Sequence, residues 1–197
     1  MRCTGDPSRS FCDESSGQVV PTISLRYNDS MHLNEPAPDF ELPDLQGDRH
    51  TLDRYRGKIL ILNFWSAECP HSERTDRHLV SLLKKWEVEV VLLSIAANRN
   101  ESIQIVAEAA KVRSVQNILV DAQHSVADLY EAVTTPHVFV LDREGVLRYR
   151  GAVDNITFRH RETTQFFLQE AVEALLAGRL PEVRETPAYG CTIVREI

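Results

Sequence analysis

Cys69 stands in the run Asn63-Phe64-Trp65-Ser66-Ala67-Glu68-Cys69-Pro70-His71-Ser72, after the apolar stretch Lys58 to Trp65 and before a long helical pattern. That order puts a sulfur at a helix N-terminus, where unpaired N–H groups and the helix dipole favour the thiolate. The thiolate is the attacking form of cysteine, so the chemistry indicated is redox exchange at one sulfur. A protonated His71 would lower the thiol pKa, whereas the adjacent Glu68 carboxylate would raise it. The balance predicts a thiol moderately more acidic than the free value of about 8.5. Ser72 occupies the position where a second cysteine would complete C-x-x-C, so no short disulfide can close there. The competing reading of Cys69 is an inert buried thiol. Trp65 reads either as a wall of the site or as core packing.

The other cysteines are Cys3, Cys12 and Cys191. Four cysteines allow three complete pairings, and spacing does not choose among them. No Cys/His cluster has zinc spacing, so no metal and no cofactor is expected. The other histidines are scattered and read as surface or satisfied core residues. Cys3 and Cys12 read as incidental thiols or a local loop closure.

The 197 residues suffice for one domain with a substantial core plus appended segments. With 43% hydrophobic and 26% charged residues, the balance is that of an ordinary globular protein. A net charge of −7 with no Lys/Arg block argues against nucleic-acid binding. No apolar run approaches the roughly 20 residues that span a bilayer. The opening Met1-Arg2-Cys3-Thr4-Gly5-Asp6 lacks the apolar core of a secretion signal. A cytoplasmic location is therefore expected, with an extracytoplasmic one open if a targeting segment was removed.

Several elements must position Cys69. Residues 1–34, rich in Gly, Ser, Asp, Asn and Pro, read as a loosely ordered extension. Asp39 to Leu42 and His50-Thr51-Leu52, joined through Gly47-Asp48, predict a hairpin. Lys58 to Trp65 predicts a central strand covered on both faces. Leu79, Leu82, Leu83 and Trp86 give an amphipathic helix ending near residue 86. A second buried strand follows from Val88 to Ile95. Asn98 with Glu101 resembles a capping box, and Ile103, Val106, Ala109 and Ala110 predict the inward stripe of the next helix. A short strand at 117–120 and a short helix at 125–130 come next. His137 to Asp142 and Val146 to Gly151, joined by Arg143-Glu144-Gly145, predict an antiparallel hairpin. Asp154-Asn155, with Arg150, reads as a polar structural turn. A final helix carries Phe167, Leu168, Ala171, Val172, Leu175 and Leu176 and stops at Gly178. This order predicts an α/β domain over 35–178, a central mixed sheet between helices, followed by a tail over 179–197 without clear period.

From about Pro36 to Leu176 the chain resembles the thioredoxin-fold redoxins and TlpA-like thiol–disulfide oxidoreductases. "APDFELPDLQGDRHTLDRYRGK" resembles the N-terminal hairpin of that group, and "ILNFWSAECPHSE" its strand, Trp and active-site cysteine. Thr134-Thr135-Pro136 resembles the Thr-Pro that this fold holds cis beside the active sulfur. The distance from Cys69 to Pro136 exceeds the plain thioredoxin spacing and implies an extra strand–helix insertion. Two departures accompany the likeness: Ser72 replaces the resolving cysteine, and Asn63 stands where thioredoxins keep a buried acid. A peroxiredoxin would carry Pro seven residues and Thr or Ser three residues before its cysteine. Ser66 meets the second demand and Leu62 fails the first.

The resemblance implies thiol–disulfide exchange at Cys69, with Trp65, Ser66, Pro70, His71, Ser72, Thr135 and Pro136 around the substrate. The partner would be a disulfide-containing protein, a small thiol or a peroxide, and the oligomeric state is open. Cys191, after Gly190 in "ETPAYGCTIV", is either the resolving thiol that Ser72 does not supply or an unpaired thiol in a packed tail. An external thiol could also resolve the intermediate. Bridging needs Cα atoms within about 7 Å, which sequence does not establish. The rival activities are a thiol peroxidase and a redox-silent binding module.

Overall fold

The computed structural model describes residues 31–196, so Cys3 and Cys12 lie outside the described residues. Its centre is β3 (Ile59–Trp65), all seven residues of which are buried. Continuous burial follows from β3's place inside the sheet, with parallel β4 (Val90–Ala96) on one side and antiparallel β7 (His137–Leu141) on the other. β5 (Ile118–Val120) extends the sheet beyond β4 in parallel, and β8 (Leu147–Gly151) extends it antiparallel beyond β7. The order is β5-β4-β3-β7-β8.

Side-chain alternation along β3 divides the core between two faces. Ile59 and Ile61 pack with Val138, Val140 and the apolar stripes of α1 (Pro70–Trp86) and α4 (Phe167–Leu176). Leu60, Leu62 and Phe64 pack on the opposite face with Phe40, Tyr130 and Phe139. A third cluster joins Trp65 and Ala96 to Val106 and Ala110 of α2 (Ile103–Arg113). A separate hairpin of β1 (Glu41–Pro43) and β2 (Arg49–Thr51) precedes the sheet. This is the expected α/β thioredoxin-like architecture. The longer path from Cys69 to Pro136 runs through β4, α2, β5, α3 (Ser125–Leu129) and β6 (Thr134–Thr135).

Three details depart from the sequence expectations. Ser102 caps α2, accepting from the Ile105 amide, so Glu101 lies before the helix and forms no capping box with Asn98. Ile103 is 57% exposed, leaving Val106 and Ala110 as the buried stripe. The segment before Pro36 is packed from Met31 onward: Met31 is buried and the Asn34 amide donates to the Leu147 carbonyl.

The aperiodic tail is tied to the domain by hydrogen bonds that pattern reading does not detect. Thr186 and Arg184 exchange backbone bonds with Arg150. β9 (Cys191–Thr192) then pairs antiparallel with β6, setting Thr135 opposite Cys191. Ile193 enters the core at 3% exposure and anchors the strand. Among the described residues no helix is long and apolar enough to cross a membrane.

Candidate active site

β3 ends at Trp65 and α1 begins at Pro70, so Ser66 to Cys69 form a short loop at the C-terminal end of the central strand. Cys69 is the helix N-cap, in extended conformation, and its carbonyl accepts from the Glu73 amide. Pro70 opens the helix at a position where no amide donor is needed. The Cys69 sulfur lies 2.9 Å from the Thr135 carbonyl oxygen and 2.8 Å from the Cys191 sulfur, and both cysteines are free. The Thr135–Pro136 peptide is cis. Gly190 permits this approach: a Cβ there would lie 2.0 Å from the Thr135 carbonyl oxygen.

The two sulfurs are electrostatically unequal. Burial pushes the Cys69 thiol up, but hydrogen bonds from the Cys191 thiol and the backbone amides of Ser72 and Cys191 outweigh it. The result lies below the ordinary cysteine value. When protonated, Cys69 donates its S–H to the Thr135 carbonyl; when ionised, it accepts from Cys191 and the amides. Cys191 is pushed up to about 12 by burial, by its hydrogen bond to Cys69, and by the charges of Cys69 and Glu101. Cys69 is therefore the more acidic thiol of the pair and Cys191 the less acidic one.

Glu101 holds the loop before Cys69 in place. Its carboxylate accepts from the Ser66 hydroxyl, the Ala67 amide at 2.9 Å and the Glu68 amide at 3.3 Å. Asn98 donates to Glu101 with its amide and accepts from the Val194 amide through Oδ1. The Arg99 amide donates to the Val194 carbonyl. One turn between β4 and α2 thus grips both sulfur-bearing segments. A second brace comes from Arg113, which donates to the Ala67 carbonyl and lies 3.4 Å from the Asp76 carboxylate. Asp76 also accepts from the Trp65 indole at 3.0 Å. Burial pushes Asp76 up to about 6, against the lowering by Trp65 and Arg113.

The other residues expected at the site divide into those beside the sulfurs and those behind them. Thr135 is fully buried beside both sulfurs, and exposed Pro70 stands next to Cys69 on the outer surface. His71 packs edge-on against Tyr189, ring centroids 5.1 Å apart, and so braces the tail that carries Cys191. Trp65 is fully buried, which makes it core rather than a wall open to substrate. Ser66 points to Glu101 rather than to Cys69. Ser72 is buried, and its hydroxyl has no partner among the described residues. Nor does either polar atom of Asn63 or the Ser94 hydroxyl, which lies opposite it in the β3–β4 register. Asp154 forms a two-pronged ion pair with Arg74 and caps its own turn at Ile156, while Arg150 binds Glu185 instead.

Sequence reasoning missed Glu101, Arg113 and Asp76. Asp76 did leave a signal, since it falls at helical spacing from Ser72 and Leu79 on the buried face of α1. Glu101 left none, because its partners in the loop, the Ser66 hydroxyl and the Ala67 and Glu68 amides, lie 33 to 35 residues away. Among the described residues no group of three or more His, Cys, Asp or Glu could hold a metal ion.

Sheet order, helix placement and the cysteine at the head of α1 define a thioredoxin-fold protein of the oxidoreductase type. Residues 33–150 match the family model described as the AhpC/TSA family, and the chain belongs to that family. Among curated proteins it is 28% identical over 135 residues to the thiol-disulfide oxidoreductase ResA of Geobacillus kaustophilus, covering 67% of this chain and 76% of that one. It is 25% identical over 126 residues to the thiol:disulfide interchange protein DsbE of Allochromatium vinosum, covering 62% and 68%. Among solved structures, a hypothetical protein from Sinorhizobium meliloti 1021 superposes with a TM-score of 0.75 at 29% identity, over 83% of this chain and 94% of that one. Peroxidoxin BcpB of Mycobacterium tuberculosis shares the fold, with a TM-score of 0.59 at 23% identity over 76% and 99%.

Proposed function

We propose that this protein is a thiol–disulfide oxidoreductase in which Cys69 is the attacking thiolate and Cys191 the resolving thiol. The observation that carries this reading is the juxtaposition of two free sulfurs 2.8 Å apart, one with a lowered pKa and one with a raised pKa. The Cys69 thiolate attacks a substrate disulfide, forming a mixed disulfide and releasing one substrate thiolate. Cys191 gives up its proton and attacks the Cys69 sulfur, expelling the second substrate thiolate and leaving a Cys69–Cys191 bridge. The substrate gains two electrons and the protein dithiol loses them. A disulfide bond of about 2.05 Å requires the sulfurs to close by under about 1 Å, a shift within the reach of side-chain rotation.

Support also comes from the register of β9 on β6, which delivers Cys191 by main-chain pairing. Similarity to ResA and DsbE adds the same kind of chemistry in relatives. The peroxidase reading lacks a comparable observation: the Ser66 hydroxyl is taken up by Glu101 and does not face the sulfur. Mild oxidation of the full-length protein followed by non-reducing peptide mass mapping tests the proposal. A linked Cys69–Cys191 peptide is the expected product, and quantitative alkylation of both cysteines after oxidation overturns the reading.

A further inference from the structure

The two sulfurs of the proposed bridge differ in access. Cys69 is 2% exposed and is enclosed by Thr135, Ser72 and Cys191, the first two fully buried. Cys191 is half-buried, lies on a two-residue strand and is followed by exposed Thr192. Edge-on addition of an extended polypeptide to β6 is already forestalled, because β9 occupies that edge. β9 is not loosely held there. Buried Ile193, the Val194 bonds to Asn98, Arg99 and His124, and the Arg195 bonds to Asp128 and the Ala132 carbonyl all secure it.

We infer that reduction of the bridge begins at Cys191, not at Cys69, and that the reductant is a low-molecular-weight thiol. This rests on the preceding reading, since it concerns the bridge that reading forms. An incoming thiolate attacks the Cys191 sulfur, a new S–S bond forms there, and the Cys69–Cys191 bond breaks with its electron pair going to Cys69. A second molecule of the thiol, deprotonated, attacks the sulfur of the first in the mixed disulfide. It releases Cys191, which takes up a proton, and leaves with the first molecule as the oxidised disulfide. In sum, two small thiols lose two electrons and the protein disulfide gains them.

Access and leaving ability point the same way. Exchange is faster when the expelled thiol is the more acidic one, and attack at Cys191 expels Cys69. Two donors remain in the mixed disulfide to receive the charge departing on Cys69, the Ser72 and Cys191 amides. Attack at Cys69 would take place at the more deeply buried sulfur and would expel Cys191, whose thiolate burial disfavours. The site is thus polarised, with Cys69 the sulfur that departs with the electron pair and Cys191 the more exposed sulfur that receives the reductant.

Reduced glutathione serves as the probe thiol. The full-length protein is oxidised, mixed with limiting glutathione, quenched in acid at successive short times and mapped by peptide mass spectrometry. The expected result is glutathione on the Cys191 peptide, in at least tenfold excess over the Cys69 peptide at the earliest times. Glutathione appearing first on Cys69, or equally on both, overturns the inference while leaving the Cys69–Cys191 couple intact. A protein in which no bridge forms at the oxidation step overturns this inference and the couple together.

Discussion

Replacing Glu101 with alanine removes the acceptor that three groups of the Cys69 loop share. The Ser66 hydroxyl and the Ala67 amide are 2% and 5% exposed by residue, so both lose their partner where water reaches them poorly. The Glu68 amide and the Asn98 side chain are more open and can turn to solvent. Hydrogen bonds to a charged acceptor contribute about 1.5–3 kcal/mol each. Two stranded donors therefore set a loss of about 3 kcal/mol in unfolding free energy, taking the low end because the truncation leaves room for water. The same substitution takes away a charge that helps hold Cys191 protonated, so its pKa should fall from about 12. Urea unfolding measures the first effect, and thiolate absorbance of Cys191 across a pH series measures the second. Glu101→Gln, which keeps one acceptor oxygen, should recover part of the stability but not the Cys191 pKa. A loss below about 1 kcal/mol together with an unmoved Cys191 titration would refute the argument.

Asp76 predicts a pH dependence of opposite sign to the usual carboxylate. Its folded pKa of about 6 lies above the unfolded value of 3.8, so between these the folded state holds more protons and stability falls as pH rises. The total is about 3 kcal/mol between roughly pH 4 and 6. Asp76→Asn should flatten that part of the denaturation profile, and a wild-type profile already flat there contradicts the prediction. Cys191→Ala removes a donor to the Cys69 sulfur and should raise the Cys69 pKa, read as a shift of the alkylation profile to higher pH. An unchanged alkylation profile would mean that the Cys191 thiol does not tune Cys69. Gly190→Ala drives a methyl group into the Thr135 carbonyl and should cost about 2 kcal/mol and slow bridge formation. Wild-type bridging rates in that variant would show that β9 does not hold the register described.

The sheet and helices were legible because local periodicity and tertiary burial agree in this chain. β3 reads as apolar throughout since both its faces are covered, and α1 repeats its apolar residues at the spacing that meets the sheet. Cys69, the Thr-Pro before β7 and the departure at Ser72 were equally visible as local strings. Long-range polar pairing was not. Glu101 looks like a helix-start residue until the Ser66–Glu68 backbone is brought to it. Ile103 fits the helical period but stands at the first position of α2, beside an open groove lined by Ala96 and Val120, and stays largely exposed. The tail lacks period because backbone bonds to Arg150 and β6 hold it, together with isolated anchors such as Ile193, Val183 and Tyr189, and none of these needs a repeating apolar pattern. Cys191 could be singled out by the preceding glycine, but its position beside Cys69 depends on a strand register that no local string encodes.

The sulfurs sit 122 residues apart in the chain. Once joined, they close a covalent ring around most of the domain, and the denatured chain loses the freedom of a loop of that size. In the chain-entropy account a ring this long favours the native state by about 5 kcal/mol. Redox state and mechanical robustness are thereby linked: the oxidised protein should melt higher and resist proteolysis, and each reduction should return the molecule to its more yielding form. By the same cycle, the tendency of the chain to fold helps to pull electrons out of the dithiol.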